Sequence, residues 1–154
     1  MRVLLADLAD ASHQAAIIDL LDMYCRDPFG DSQPLSAEAR ANLIPGLQKH
    51  GGARVFLAFE DDVPTGVAIC LVGFSSFKGK PLVNIHDIAV APQFRGRGIG
   101  RSLLAAVEAD ARAMGCCKIT LEVRSDNALA QDVYRRAGYQ SSQPETWFWS
   151  RVLD

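Results

Sequence analysis

Three glycines on alternate positions, interleaved with arginines, stand where an apolar strand gives way to an amphipathic helix. The stretch Ile88 to Ser102 reads IAVAPQFRGRGIGRS. Gly96, Gly98 and Gly100 can adopt backbone angles closed to other residues and let a ligand approach the main chain. The helix they open, through Gly98, Ile99 and Gly100, exposes unpaired N–H groups and a partial positive charge. Arg95, Arg97 and Arg101 add full charges beside it. Such a set suits a pyrophosphate.

Spacing narrows the kind of cradle. A nucleoside-triphosphate loop needs GxxxxGK[ST], but Arg101 stands five positions after Gly96 and no Lys follows. The dinucleotide pattern GxGxxG fails too, because the third glycine arrives one residue early, at Gly100. What remains is R-x-x-G-x-G, carried by Arg95, Gly98 and Gly100 after a strand that ends in Val90-Ala91-Pro92. Read as residues alone, it is a ligand cradle, a Gly-rich helix cap, or an RGRG patch touching RNA. The overall charge of -2 argues against RNA, which draws on a basic excess.

A second motif lies further on: N-x-x-A-x-x-x-Y-x-x-x-G-Y, as Asn127, Ala130, Tyr134, Gly138 and Tyr139. With both motifs at this separation, the chain resembles the GNAT superfamily of N-acetyltransferases over nearly its whole length. The resemblance implies acetyl-CoA as co-substrate and a strand pair that splays apart to admit its pantetheine arm. On this chain it would have Ile88, Ala89 and Val90 hydrogen-bond the arm, Arg95 to Arg101 hold the pyrophosphate, and Asn127 touch the pantetheine or cap its own helix. Tyr134 would protonate the leaving thiolate or pack for its ring. The string SFKGKPLVNIHDIAV is also similar to diamine and polyamine N-acetyltransferases, where a Glu-Asp pair stands at the position of His86-Asp87. The His in place of Glu departs from that branch.

Acetyl transfer to an amine has its own demand. An alkylammonium with a pKa near 10.4 must lose a proton before it is nucleophilic, at roughly 4.6 kcal/mol at neutral pH. An unperturbed imidazole suits the role of base, so His86 is a candidate for it, or it is a histidine hydrogen-bonded within the sheet. The family builds its acceptor site from the segment between the first two helices, here Arg26 to Leu35. Asp27 and Asp31 in that segment, and Asp87 on a strand as a further candidate, could hold a cationic amine, or the loop acids are merely solvated. Trp147 and Trp149 share one face of an aromatic run that suits a homodimer contact or an acceptor wall.

The elements that must position these groups follow from periodicity. Arg2–Ala6 reads as a strand, and Asp10 or Ser12 caps a helix carrying Ile17, Leu21 and Tyr24 on one face. A second helix begins near Ser36 and is broken or kinked at Pro45-Gly46. Arg54–Glu60 and Val63–Phe74 form a hairpin around Asp61-Asp62, with Gly66 as a candidate bulge. Strand Leu82–Val90, the Gly98–Met114 helix, strand Cys117–Val123, a helix capped by Ser125 or Asp126, and a closing strand Thr146–Val152 complete the order. The expectation is an α/β fold, β-α-α-β-β-β-α-β-α-β, with a mixed sheet, helices on both faces and a splayed strand pair.

At 154 residues and 49% hydrophobic content the chain reads as one domain, 1–154. Its four cysteines lack CxxC spacing, and two are adjacent, where a mutual disulfide would be strained. Reduced thiols in a cytoplasmic protein fit best. No signal sequence, membrane span or metal-ligating set is visible. The combined expectation is an acetyl-CoA-dependent N-acetyltransferase acting on the primary amine of a small molecule, with no nucleic-acid or membrane partner. A non-catalytic acyl-CoA sensor, or an enzyme acting on a protein N-terminus or lysine, is the alternative.

Overall fold

The computed structural model describes residues 1–153. Its elements are β1 (Arg2–Leu5), α1 (Ala11–Cys25), α2 (Ala37–Lys49), β2 (Ala53–Glu60), β3 (Val63–Ser75), β4 (Lys80–Val90), α3 (Ile99–Ala113), β5 (Ile119–Leu121) and α4 (Ala128–Arg136), with one 3-10 turn at Pro92–Phe94. The strands form a single sheet in chain order, antiparallel from β1 to β4 and parallel between β4 and β5.

Both faces of the sheet are covered, which is why its central strands are almost continuously apolar. In β2, Val55 and Leu57 bury against Ile17, Leu20 and Leu21 of α1 and Ile44 of α2. Their neighbours Phe56 and Ala58 point the other way, against Ile99, Leu103, Leu104 and Val107 of α3. Asp10 starts α1 because its carboxylate accepts the N–H groups of Ser12 at 2.7 Å and His13 at 3.0 Å. Ser36 starts α2 in the same manner, accepting from Ala39 at 3.0 Å.

Both antiparallel junctions next to the site carry a bulge. Ala58 pairs with Gly66 and Phe59 with Pro64, so Thr65 is the extra residue, one position before the expected Gly66. Its buried hydroxyl donates to the Ala58 carbonyl at 3.2 Å. Gly66 is required for space instead. A Cβ there would lie 3.0 Å from the Ala89 carbonyl oxygen, 3.1 Å from Ile99 Cγ2 and 3.1 Å from Leu103 Cδ1. The missing side chain lets the first turns of α3 sit directly on β3 and β4.

One expectation is narrowed and two are corrected. Of the two readings of Pro45-Gly46 the break is excluded: helix α2 continues through Pro45 to Lys49, with Ile44 buried and Leu43 and Leu47 packed on the α1 side of the core around it. Strand β5 is limited to Ile119–Leu121, ending before Glu122 and Val123. The closing strand Thr146–Val152 does not form: these residues run as irregular chain, with Trp147 71% and Trp149 82% exposed. Aromatic alternation marks a segment able to be a strand, but a strand also needs an edge to pair with. The two indole rings nonetheless lie 6.4 Å apart, on a common side as the alternation implied.

Replacing Gly66 by Val should destabilise the protein by about 1–3 kcal/mol through overpacking beneath α3. A urea-unfolding midpoint equal to wild type would show that α3 can lift off the sheet without cost.

Candidate active site

The β4–β5 ladder pairs Val83–Ile85 with Ile119–Leu121 and stops there. Strand β4 runs on to Val90, paired with β3 as far as Gly66. Beyond Leu121 the chain leaves the sheet. Ile88, Ala89 and Val90 therefore have a strand neighbour on one side only. The open edge of the splayed pair can accept an extended ligand arm as a further strand.

The splay leads to the start of α3. Gly98 is the N-cap residue, held in the left-handed region at φ 82°, and supplies no side-chain cap. Gly96 is left-handed too, at φ 78°. The first helical hydrogen bond runs from Ser102 N–H to the Gly98 carbonyl at 3.0 Å. The N–H groups of Ile99, Gly100 and Arg101 thus have no intrahelical acceptor. A Cβ at Gly96 or Gly98 would meet nothing within 4 Å, so the loop faces open space. Gly100 has ordinary helical geometry, and a Cβ there would sit 3.8 Å from Val90 Cγ2. Backbone conformation demands glycine at the first two positions, whereas the third has room for a Cβ in ordinary contact. Two left-handed glycines, free N–H groups and open space fit a pyrophosphate.

The three arginines are not equivalent. Arg95 Nε donates to the Val90 carbonyl at 3.1 Å and its guanidinium to Asp27 Oδ2 at 2.7 Å. Arg97 binds Glu60 at 3.2 Å and the Gln93 carbonyl at 3.3 Å, stacked 5.2 Å from the Phe94 ring. Arg101 forms neither an ion pair nor a side-chain hydrogen bond among the described residues. Of the expected phosphate holders it is the one whose charge is unspent.

The second bulge decides where His86 and Asp87 lie. Ile69 pairs with Asp87 and Cys70 with Ile85, leaving His86 as the extra residue. The bulge shifts the alternation: Ile85 and Ile88, three positions apart, both pack on the α3 face. Asp87, opposite Ile69, faces α1. Burial raises its carboxyl above the usual carboxylate range, with His86 acting in the opposite sense. Its carboxylate makes no hydrogen bond among the described residues, whereas His86 is exposed. The pair is adjacent in sequence but unlike in environment.

Tyr134 comes from α4, on the α3 side of the sheet, where its ring packs 6.1 Å from that of Tyr139. Burial pushes its phenol up to about 12, and the nearby Tyr24 phenol adds to the rise. Tyr24 sits in the last turn of α1 on the opposite side, its own phenol raised by burial and then by Asp87 and Asp27. Periodicity assigned Tyr24 to the core. The only local signal of another role was its place just before the segment expected to build the acceptor site.

Asn127 is itself the α4 cap, in place of Ser125 or Asp126: its Oδ1 accepts from Ala130 N–H at 3.1 Å. Its side-chain amide remains available to a ligand. Asp27 is engaged by Arg95 and by Phe29 N–H at 2.9 Å, so it is not a free anion for an amine. Asp31 is exposed. Arg124 spans the mouth, with its guanidinium 6.0 Å from the Phe29 ring and paired to Asp126.

The tyrosine environments make a pH prediction. Tyr134 and Tyr139 have folded pKa values raised to about 12 from 10.0. Their stabilising contribution is complete below pH 10 and is lost as pH climbs from 10 through 12. Tyrosinate absorbance in the native protein should therefore develop late and shift back toward pH 10 in denaturant. Coincident native and denatured titrations would show that neither ring is buried.

Comparison with known proteins agrees with this architecture. Residues 16–139 match the family described as Acetyltransferase (GNAT) family. A structure described as a probable acetyltransferase superposes with a TM-score of 0.86 at 22% identity, covering 100% of this chain and 99% of its own. An aminoglycoside acetyltransferase from an uncultured soil metagenomic sample, solved with sisomicin, has a TM-score of 0.81 at 18% identity, covering 99% and 96%. AAC(6')-Iy, solved with the bisubstrate analogue CoA-S-monomethyl-acetylneamine, gives 0.77 at 20% identity, covering 98% of each chain. The structural likenesses establish the fold, and the family match runs over most of the chain through both motifs: this protein belongs to the acetyltransferase (GNAT) family.

Proposed function

We propose that the protein transfers an acetyl group from acetyl-CoA directly to a primary amine of a small molecule. The observation that carries this reading is the gap opened where β4 outruns β5, ending at a glycine cradle on the N-terminus of α3. An extended arm pairing with Ile88–Val90 and a pyrophosphate on the N–H groups of Ile99, Gly100 and Arg101 would lie in one continuous groove. Arg101 adds charge there and the Asn127 amide a further donor. Two neighbours of the same fold were solved with sisomicin and with an acetylneamine conjugate, which supports a small amine over a protein acceptor.

The co-substrate supplies a thioester, activated toward attack and with a good leaving group. The chain supplies orientation and proton movement. Asp87, half-buried on the α1 side, attracts the ammonium toward the gap. His86 on the solvent side of the same bulge takes the proton that makes the amine nucleophilic. Backbone N–H groups at the splay face the carbonyl oxygen on which charge develops. Tyr134 comes from α4, on the other side of the sheet. With its phenol near 12 and a thiol near 8.5, complete proton transfer to the thiolate is uphill, so its contribution is a hydrogen bond as charge builds on sulfur.

Coenzyme A should raise the melting temperature of the wild-type protein by mass action. Gly98→Glu should abolish that shift, since it puts a side chain and a negative charge into the open space of the cradle at a left-handed position. A full shift in folded Gly98→Glu would place the coenzyme elsewhere.

Thiol release from acetyl-CoA, followed across a panel of amines, tests the chemistry. Tyr134→Phe should lower turnover by roughly 10²-fold with coenzyme affinity little changed. At subsaturating amine the wild-type rate should rise with pH through an inflection that His86→Ala removes, because only a neutral imidazole accepts the proton. An unchanged profile in active His86→Ala would remove it as the base, and turnover with no amine would favour the sensor alternative.

A further inference from the structure

Arg95 occupies the first position of the R-x-x-G-x-G motif, yet two of its three guanidinium nitrogens are committed to groups outside the cradle. Nε reaches back to the Val90 carbonyl at the end of β4, and the terminal nitrogen reaches Asp27 in the segment between α1 and α2. We infer that Arg95 is a positioning residue that, with Asp27, locks the acceptor-side loop to the coenzyme strand, and is not a phosphate ligand.

The far end of this tie is a rigid body. Asp31 and Gln33 N–H groups both donate to the Cys25 carbonyl, at 3.0 and 3.2 Å, and Leu35 N–H donates to Asp22 Oδ1 at 2.9 Å. Gly30 lies so close to the helix that a Cβ would fall 2.2 Å from the Tyr24 carbonyl oxygen. The loop, Tyr24 and Phe29 therefore move together with the end of α1. Arg95 sets the position of that body relative to Val90, where the open edge of β4 ends.

Two arguments weigh against a phosphate role. The Asp27 side chain is only 13% exposed and its second oxygen already accepts from Phe29 N–H. Moving Arg95 to a phosphate would leave a largely buried carboxylate without its cation, which is costly. The carboxylate at 2.7 Å also cancels much of the field that this guanidinium would present to an anion. Arg101 bears no such partner.

The inference rests on the coenzyme reading, and the test separates the two. Wild type, Arg95→Gln, Asp27→Asn, the double variant and Arg101→Gln are titrated with coenzyme A by calorimetry at several salt concentrations. Steady-state constants are then measured with the best amine of the panel. Arg95→Gln and Asp27→Asn should each raise the amine KM about tenfold, with the double variant no worse than either. Coenzyme affinity should stay within about threefold, and its salt dependence should be unchanged. Arg101→Gln should weaken coenzyme binding and flatten its salt dependence. The inference is overturned if Arg95→Gln loses tenfold in coenzyme affinity with a flatter salt dependence while Asp27→Asn does not. Additive effects of the two substitutions on KM overturn it as well. Should wild type bind no coenzyme A, the cradle reading fails, and the tie is judged by urea unfolding of wild type, Arg95→Gln, Asp27→Asn and the double variant. There the two substitutions must be non-additive, and additivity sinks it.

Discussion

The feature on which the site depends is an unequal match of strand lengths. β4 is eleven residues long and is paired with β3 along nearly all of it, whereas β5 offers three residues to its other edge. A backbone edge inside a protein cannot stay unsatisfied without cost, so the tail of β4 must meet water or a ligand. Everything else in the groove is arranged around that edge. The glycine loop follows it directly, α3 begins where it ends, and α1 and α4 reach it from opposite faces of the sheet.

The bulges turn this edge into a site with two different walls. Without the extra residue at His86, the period of two would have carried Asp87 to the α3 face with Ile85. One inserted residue instead leaves Ile88 and Val90 packed under α3 and sets Asp87 toward the end of α1. The Thr65 bulge opposite does related work in β3, placing Gly66 where α3 needs room to approach. Close packing of α3 in turn fixes the direction in which its N-terminal N–H groups point.

Electrostatically the groove is organised by pairing as much as by net charge. Of the arginines in and beside the glycine loop, two are committed to carboxylates within the protein, Arg95 to Asp27 and Arg97 to Glu60. These pairs hold the loop in shape, whereas the cradle relies on backbone N–H groups and Arg101. On the acceptor side the pattern is similar: Asp22 is met by Arg26 and Arg40 and Asp126 by Arg124, whereas Asp87 forms no ion pair among the described residues. A surface drawn from residue types alone would show many charges. The structure leaves few unspent.

Much of this was legible in the chain itself. Period-two and period-3.6 patterns placed nine of the elements, since burial on a given face imposes those repeats wherever it occurs. Gly96, Gly98 and Gly100 announced a loop of unusual backbone angles, and the first two are left-handed whereas Gly100 is helical. The order of elements and the two motifs pointed to the family on residues local in sequence. What the chain could not reveal alone were facts created by contacts between distant segments. These are the early end of β5, the Arg95–Asp27 tie across 68 positions, and the absence of a closing strand from residues whose alternation allowed one. Local sequence sets which conformations a segment can adopt. Which partner a side chain or strand edge finds is decided only when the sheet, the helices and their loops are packed together.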